Sequence, residues 1–147
     1  MFHSILVATD GSKLADKAVS SAIDLAAESS AKLVALTVVP RYARDYYDGV
    51  MILSNEEIAR IEGQSVKAAQ TRLDEVGERA RARGVRVETS AIVSDVVAEA
   101  IIAESRKHES DLIVMASHGR KGLARLLLGS ETQHVLTHSK LPVLVLR

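Results

Sequence analysis

The stretch Ile5-Leu6-Val7-Ala8-Thr9-Asp10-Gly11-Ser12 reads as a short apolar strand broken by a turn, and the segments after that turn set the fold. Over residues 12–30, Ala15, Val19, Ala22, Ile23 and Ala26 recur at helical spacing, with Ser12 placed as N-cap. Lys32-Leu33-Val34-Ala35-Leu36-Thr37-Val38-Val39 is a second apolar run, stopped by Pro40. Strand, helix and strand in that order make one βαβ unit. The alternation continues along the chain: residues 85–93 read as a third strand, Leu112-Ile113-Val114-Met115-Ala116 as a fourth and Pro142-Val143-Leu144-Val145-Leu146 as a fifth. Strands that are apolar almost throughout indicate a mainly parallel sheet covered on both faces. The fold class is therefore α/β, with residues 1–147 expected to form one domain.

The helices between these strands carry their own punctuation. Ser54-Asn55-Glu56-Glu57 reads as a capping box, in which Ser54 bonds an N3 backbone N–H and Glu57 reaches back. The helix it opens turns Ile58, Ile61, Ser65, Ala69, Leu73, Val76 and Ala80 inward and stops at Gly84. A third helix is expected to start near Ser94 or Asp95, bury Val97, Ala100 and Ile101, and end at Arg106, Lys107 and His108, where cations suit the helix dipole. Ser130 is expected to cap a fourth, with Gln133 completing a second capping box. Residues 41–53 are the least regular and hold all three tyrosines, Tyr42, Tyr46 and Tyr47.

Composition narrows the function. The apolar fraction of 47% and charged fraction of 26% are those of an ordinary globular protein. Nineteen basic residues balance nineteen acidic ones, so no global charge attracts nucleic acid or an anionic membrane. The absence of cysteine excludes a disulfide scaffold, a thiolate nucleophile and thiolate metal sites. No signal peptide is evident and no apolar run approaches the ~18 residues of a membrane span, so the expected location is cytoplasmic.

In an open α/β sheet, ligands bind beyond the C-terminal ends of the strands where the winding reverses. A five-stranded Rossmann-like half commonly has the order 3-2-1-4-5, which puts that reversal between the first and fourth strands. The two most distinctive loops, Asp10-Gly11-Ser12 and residues 116–130, come directly after those two strands. Gly119 and Gly129 offer backbone N–H groups with no side chain in the way, and Gly129-Ser130 opens a helix whose N-terminus favours an anion. Ser130 and Thr132 add hydroxyl donors. Asp10 suits a ribose hydroxyl or a metal ion attached to phosphates. Spacing alone leaves a plainer reading open, in which the glycines only form turns and Ser130 only caps.

The long loop resembles the universal stress protein family. Its ATP-binding pattern is Gly-x-x-Gly, nine residues, then Gly and Ser or Thr. Here Ser117-His118-Gly119, nine residues and Gly129-Ser130 match, with Ala116 in place of the first glycine. Alanine there is strained if φ must be positive, and its methyl group stands to crowd a nucleotide. The resemblance covers nearly the whole chain, from Ile5-Leu6-Val7-Ala8-Thr9-Asp10-Gly11-Ser12 to Leu141-Pro142-Val143-Leu144-Val145. It implies an adenine nucleotide alpha hydrolase-like sandwich that binds ATP; Mg2+, where it accompanies the phosphates, would meet Asp10. It implies that Ala8, Thr9 and Asp10 hold the adenine and ribose, with the Val38 backbone beside the base. Met115, Ala116, His118, Gly119, Gly129, Ser130, Glu131 and Thr132 would meet the ribose and phosphates. The resemblance also implies a homodimer through the last strand, residues 142–147; unpaired, that strand would be an exposed apolar edge.

Other chemistries fit less well. The chain has no Walker run, and Asp10-Gly11-Ser12-Lys13 is not the dinucleotide fingerprint. His134 and His138 are spaced as metal ligands can be, but no third ligand is evident and an ordinary helix surface accounts for them. Arg79-Ala80-Arg81-Ala82-Arg83 reads as a helix end favoured by the dipole. Arg120, Lys121 and Arg125 suit either a triphosphate or a solvated loop. Three functional classes remain. The first is a nucleotide-dependent switch in a stress response, read by a regulatory protein partner. The second is a slow Mg-dependent ATPase. The third is a nucleotide-independent dimeric partner protein. No positioned base or dedicated metal cluster is evident, which favours the switch over an enzyme.

Overall fold

The computed structural model describes residues 1–119 and 128–147. The sequence readings at Arg120, Lys121 and Arg125 lie outside the described residues. Five parallel strands form the sheet: β1 (Ser4–Ala8), β2 (Lys32–Pro40), β5 (Val87–Ser94), β6 (Leu112–Ala116) and β7 (Val143–Leu146). Their spatial order is β5-β2-β1-β6-β7, which is 3-2-1-4-5 in chain order of these five. The winding thus reverses between β1 and β6, which pair through Ile5↔Leu112, Leu6↔Ile113 and Val7↔Val114.

Helices α1 (Lys13–Ser29) and α2 (Asn55–Ala82) cover one face; α3 (Val97–Lys107) and α4 (Ser130–His138) cover the other. Alternation along the strands feeds two cores. Ile5, Val7, Leu33, Ala35, Leu112 and Val114 meet Ala18, Val19, Ala22, Leu73 and Ala80 on the α1/α2 side. Leu6, Val34, Leu36, Ile113 and Met115 meet Ala98, Ile101 and Val135 on the α3/α4 side. Small alanines along α1 let that helix lie close to the strands. No helix among the described residues is long and apolar enough to cross a membrane.

The helix ends show where local chemistry prevails. Ser12 caps α1, accepting from the Ala15 N–H at 3.2 Å. Ser54 and Glu57 form the expected reciprocal box at α2, and the Ser54 backbone N–H holds the Glu57 carboxyl below its ordinary pKa. Gly84, at φ 72°, sits just past the end of α2 as a left-handed C′ residue.

Three expectations need correction. Strand β5 runs on to Ser94, so α3 starts at Val97 rather than at Ser94 or Asp95, and its N-cap, Val96, has no side-chain cap. Helix α4 is capped by Gly129 in an extended conformation, making Ser130 the first helical residue and Gln133 the wrong register for a box. The Gln133 side chain donates instead to the Leu128 carbonyl at 2.8 Å. Along α2, Ser65 is exposed, because the N-terminal half of that helix carries few residues into the core.

Residues 41–53 also hold an unforeseen hairpin, β3 (Tyr46–Tyr47) against β4 (Val50–Met51). Its turn residues, Asp48 at φ 51° and Gly49 at φ 77°, are both left-handed, as a type I′ turn requires.

Candidate functional site

The topology brings the ends of β1 and β6 side by side, and their loops touch. A Cβ built on Gly119 would lie 2.8 Å from Asp10 Oδ2, so any larger residue would push the Asp10 carboxylate or the loop aside. Asp10 is held in place, its Oδ1 accepting from the Ser12 N–H at 2.9 Å. Gly129 is equally tight: a Cβ there would stand 3.2 Å from His118 Cα and 3.3 Å from Ser117 O. The Gly129 N–H donates to that Ser117 oxygen at 2.7 Å, pinning the start of α4 to the end of β6. Gly119 thus permits a close approach of the loop to the Asp10 carboxylate, and Gly129 a close approach to the backbone of Ser117 and His118.

Ala116 takes the place of the first motif glycine without strain. It is the last residue of β6 and is not among the residues with positive φ. Alternation along β6 turns its methyl group to the side of Leu112 and Val114, away from Met115. The Ala116 carbonyl accepts from the buried Thr132 hydroxyl at 2.9 Å.

Beside these loops lies an apolar floor on the α3/α4 side. Ala8, Val38, Ile92 and Val97 are partly exposed around the buried Met115. Ile92 and Val97 were not among the sequence-derived site residues. Their signal was available in the strand period and register: Val38 pairs with Ile92, so both side chains face the same way.

The β1–β2 ladder ends at Ala8↔Leu36, while β2 and β5 continue to Pro40↔Ser94. The last link to β1 is the Thr9 N–H on the Leu36 carbonyl at 2.9 Å. The Thr9 carbonyl then accepts from the Thr37 hydroxyl at 2.8 Å. Backbone groups of alternate residues face the same neighbour, so the Val38 peptide groups face the side where β1 has already ended. A planar heterocycle on this floor would find a backbone donor and acceptor at its edge.

Helix α4 supplies the polar end. The N–H groups of Ser130, Glu131 and Thr132 lie in its first turn, where no intrahelical acceptor exists and the dipole is positive. Their side chains divide the work. The Thr132 hydroxyl is committed to Ala116, and the Glu131 carboxylate accepts from the Ala98 N–H at 2.7 Å, capping α3 where Val96 cannot. The Ser130 hydroxyl lies exposed at the helix start.

The structure thus gathers Ala8, Asp10, Val38, Met115, Gly119, Gly129, Ser130 and the backbone of Glu131 and Thr132 around one place. It draws two predicted residues elsewhere. The Thr9 side chain lines a cavity of 510 Å³ on the α1/α2 side, and its hydroxyl accepts from the Gly11 N–H at 3.2 Å. The His118 ring lines another, of 660 Å³, beside α1, with Nδ1 3.2 Å from the Ser117 hydroxyl. Among the described residues no group of three His, Asp or Glu side chains is placed to hold a metal, and His138 Nδ1 lies 3.0 Å from the His134 carbonyl.

The family model of the universal stress proteins matches residues 1–147. The chain belongs to this family. A universal stress protein of Methanocaldococcus jannaschii is 32% identical over 100% of this chain and 83% of its own length. The universal stress protein YxiE of Bacillus subtilis is 32% identical over the full length of both. Among solved structures, a universal stress protein in complex with cAMP is 27% identical, with a TM-score of 0.71, over 99% of this chain and 97% of that one. Fold class and family thus agree with the sequence reading, and the order of the parallel strands is the one expected.

Proposed function

We propose that this universal stress protein binds ATP in the cytoplasm and acts as a nucleotide-dependent regulatory switch in a stress response. The observation that carries this reading is the meeting of the two loops at the winding reversal, with Gly119 against Asp10 and the apolar floor beside them. The base rests on Ala8, Val38, Ile92, Val97 and Met115 and reads the Val38 backbone. Asp10 takes the ribose or, through bound phosphates, Mg2+. The phosphates meet Gly119, Ser130 and the first-turn N–H groups of α4. The cAMP complex of a relative supports an adenine nucleotide as the ligand class.

A switch is favoured over an efficient ATPase because the residues gathered here bind and orient but supply no placed general base. The same reading includes a homodimer through β7, the strand at one edge of the sheet, where Leu144 is 40% exposed.

Calorimetric titration of nucleotide-stripped protein with ATP and magnesium tests the site, with GTP as control. Saturable binding of ATP, weaker for GTP, is expected. No heat at millimolar ATP would sink the nucleotide reading and leave a dimeric interaction protein. Turnover of ATP over many cycles with magnesium would replace the switch by a hydrolase.

A further inference from the structure

The 660 Å³ cavity beside α1 is of the size that holds small ligands, yet it lies away from the apolar floor. Its lining is Lys13, Leu14, Lys17, Ser117, His118 and Arg147. Lys13 and Lys17 are one helical turn apart, so both project from the same side of α1. Arg147 closes the space from the end of β7. Three cations and an imidazole thus face one concavity, with no Asp or Glu side chain in its described lining. Among the described residues, Lys13, Lys17 and Arg147 make no ion pair.

The neighbouring 510 Å³ cavity shows the contrast. There Asp16 and Glu75 line the wall with Lys13, Arg72 and Arg79, and Arg79 is already engaged by Asp16 at 2.6 Å and Ser20 at 2.7 Å. Two carboxylates there offset most of the charge of three cations. In the larger hollow Lys13, Lys17 and Arg147 are exposed and of one sign, and a concavity lined by one sign attracts anions.

From this geometry we infer a second anion site, behind the phosphate loop, that takes a small multiply charged phosphoryl anion. Lys13, Lys17 and Arg147 neutralise it, and the Ser117 hydroxyl and His118 ring give it orientation. The site is distinct from the adenine nucleotide site and does not depend on it. It shares only the Ser117-His118 segment, whose backbone packs against Gly129. An anion held there bears on the same loop from its other side.

Inorganic pyrophosphate is the probe, titrated by calorimetry into the wild type and into Lys17→Ala/Arg147→Ala, neither residue belonging to the nucleotide site. Losing two charge-assisted contacts should weaken pyrophosphate by at least about tenfold while ATP affinity stays within about twofold. Pyrophosphate should also still bind to protein saturated with ATP. Undetectable pyrophosphate binding to the wild type, equal binding to the double variant, or full competition by ATP would each overturn the site. Should ATP fail to bind, the nucleotide reading falls, yet the paired pyrophosphate titrations still decide this one.

Discussion

At the N-terminal edge of the sheet, polar side chains are matched to one another; at the C-terminal edge, backbone groups are left facing outward. The first edge is tied by Asp111, whose carboxylate accepts from the His3 N–H at 2.8 Å and the Ser4 N–H at 3.1 Å. Lys32 meets Glu88 at 3.3 Å, and His108 lies 3.1 Å from Glu88 and 3.3 Å from Glu104. At the second edge the main features are glycines, a helix N-terminus and the Val38 peptide past the end of β1. Both edges are rich in polar groups, so polarity alone does not mark a site. What separates them is whether the partners lie within the chain.

The largest effect should come from closing the C-terminal edge. Gly119→Val places branched carbons where even a Cβ would lie 2.8 Å from Asp10 Oδ2. Asp10 cannot simply swing aside without leaving the Ser12 N–H. A misfit of about 1–3 kcal/mol at the site translates to a loss of about 10- to 100-fold in ATP affinity, with the melting temperature nearly unchanged. Calorimetry and thermal melts on the same preparation check both halves. A large drop in stability instead would make Gly119 a residue of the fold.

The N-terminal edge should behave in the opposite way. Asp111→Ala leaves two backbone N–H groups without their acceptor, at a cost of about 1–2 kcal/mol after allowing for solvent at this half-buried carboxylate. Nucleotide affinity should not move. Burial pushes the Asp111 pKa up, but the His3 and Ser4 N–H bonds together bring it below the ordinary 3.8. A lowered carboxylate stabilises the fold fully above 3.8 and loses that contribution as pH falls through its folded value. Denaturant unfolding of wild type and variant should therefore differ at neutral pH and converge in acid. A gap that persists at pH ~2 would mean that Asp111 acts through shape and not through charge.

This contrast also explains what was legible beforehand. Both faces of the sheet and the caps at Ser12 and Ser54 follow from patterns within a few residues, whereas the strand order was expected only from the usual arrangement of Rossmann-like sheets. The hairpin was legible too, since Asp48-Gly49 is a strong type I′ signal, but the irregular composition of residues 41–53 masked it. The glycines of the long loop stand out in the sequence, but their close approach to Asp10, Ser117 and His118 does not. Long-range partners such as Thr132 with Ala116 and Glu131 with Ala98 have no local signature. Nor does local pattern say which way the His118 ring turns.

Glu131 gives the finest test, because it stands on the boundary between the two kinds of end. The family resemblance assigns it to the nucleotide, yet its carboxylate caps α3 at the Ala98 N–H. Both hold if the backbone N–H of Glu131 serves the phosphates while the side chain serves the fold. Glu131→Gln keeps an acceptor for Ala98 and the backbone N–H, and removes only the charge at the α3 dipole. The expected loss is about 0.5 kcal/mol of stability, smaller in high salt, with ATP affinity within about twofold of wild type. Chemical denaturation at two salt concentrations, paired with calorimetry, resolves the two terms. A several-fold change in affinity at unchanged stability would move the carboxylate itself to the nucleotide. The side chains at this edge would then take part in the site as well as shape it.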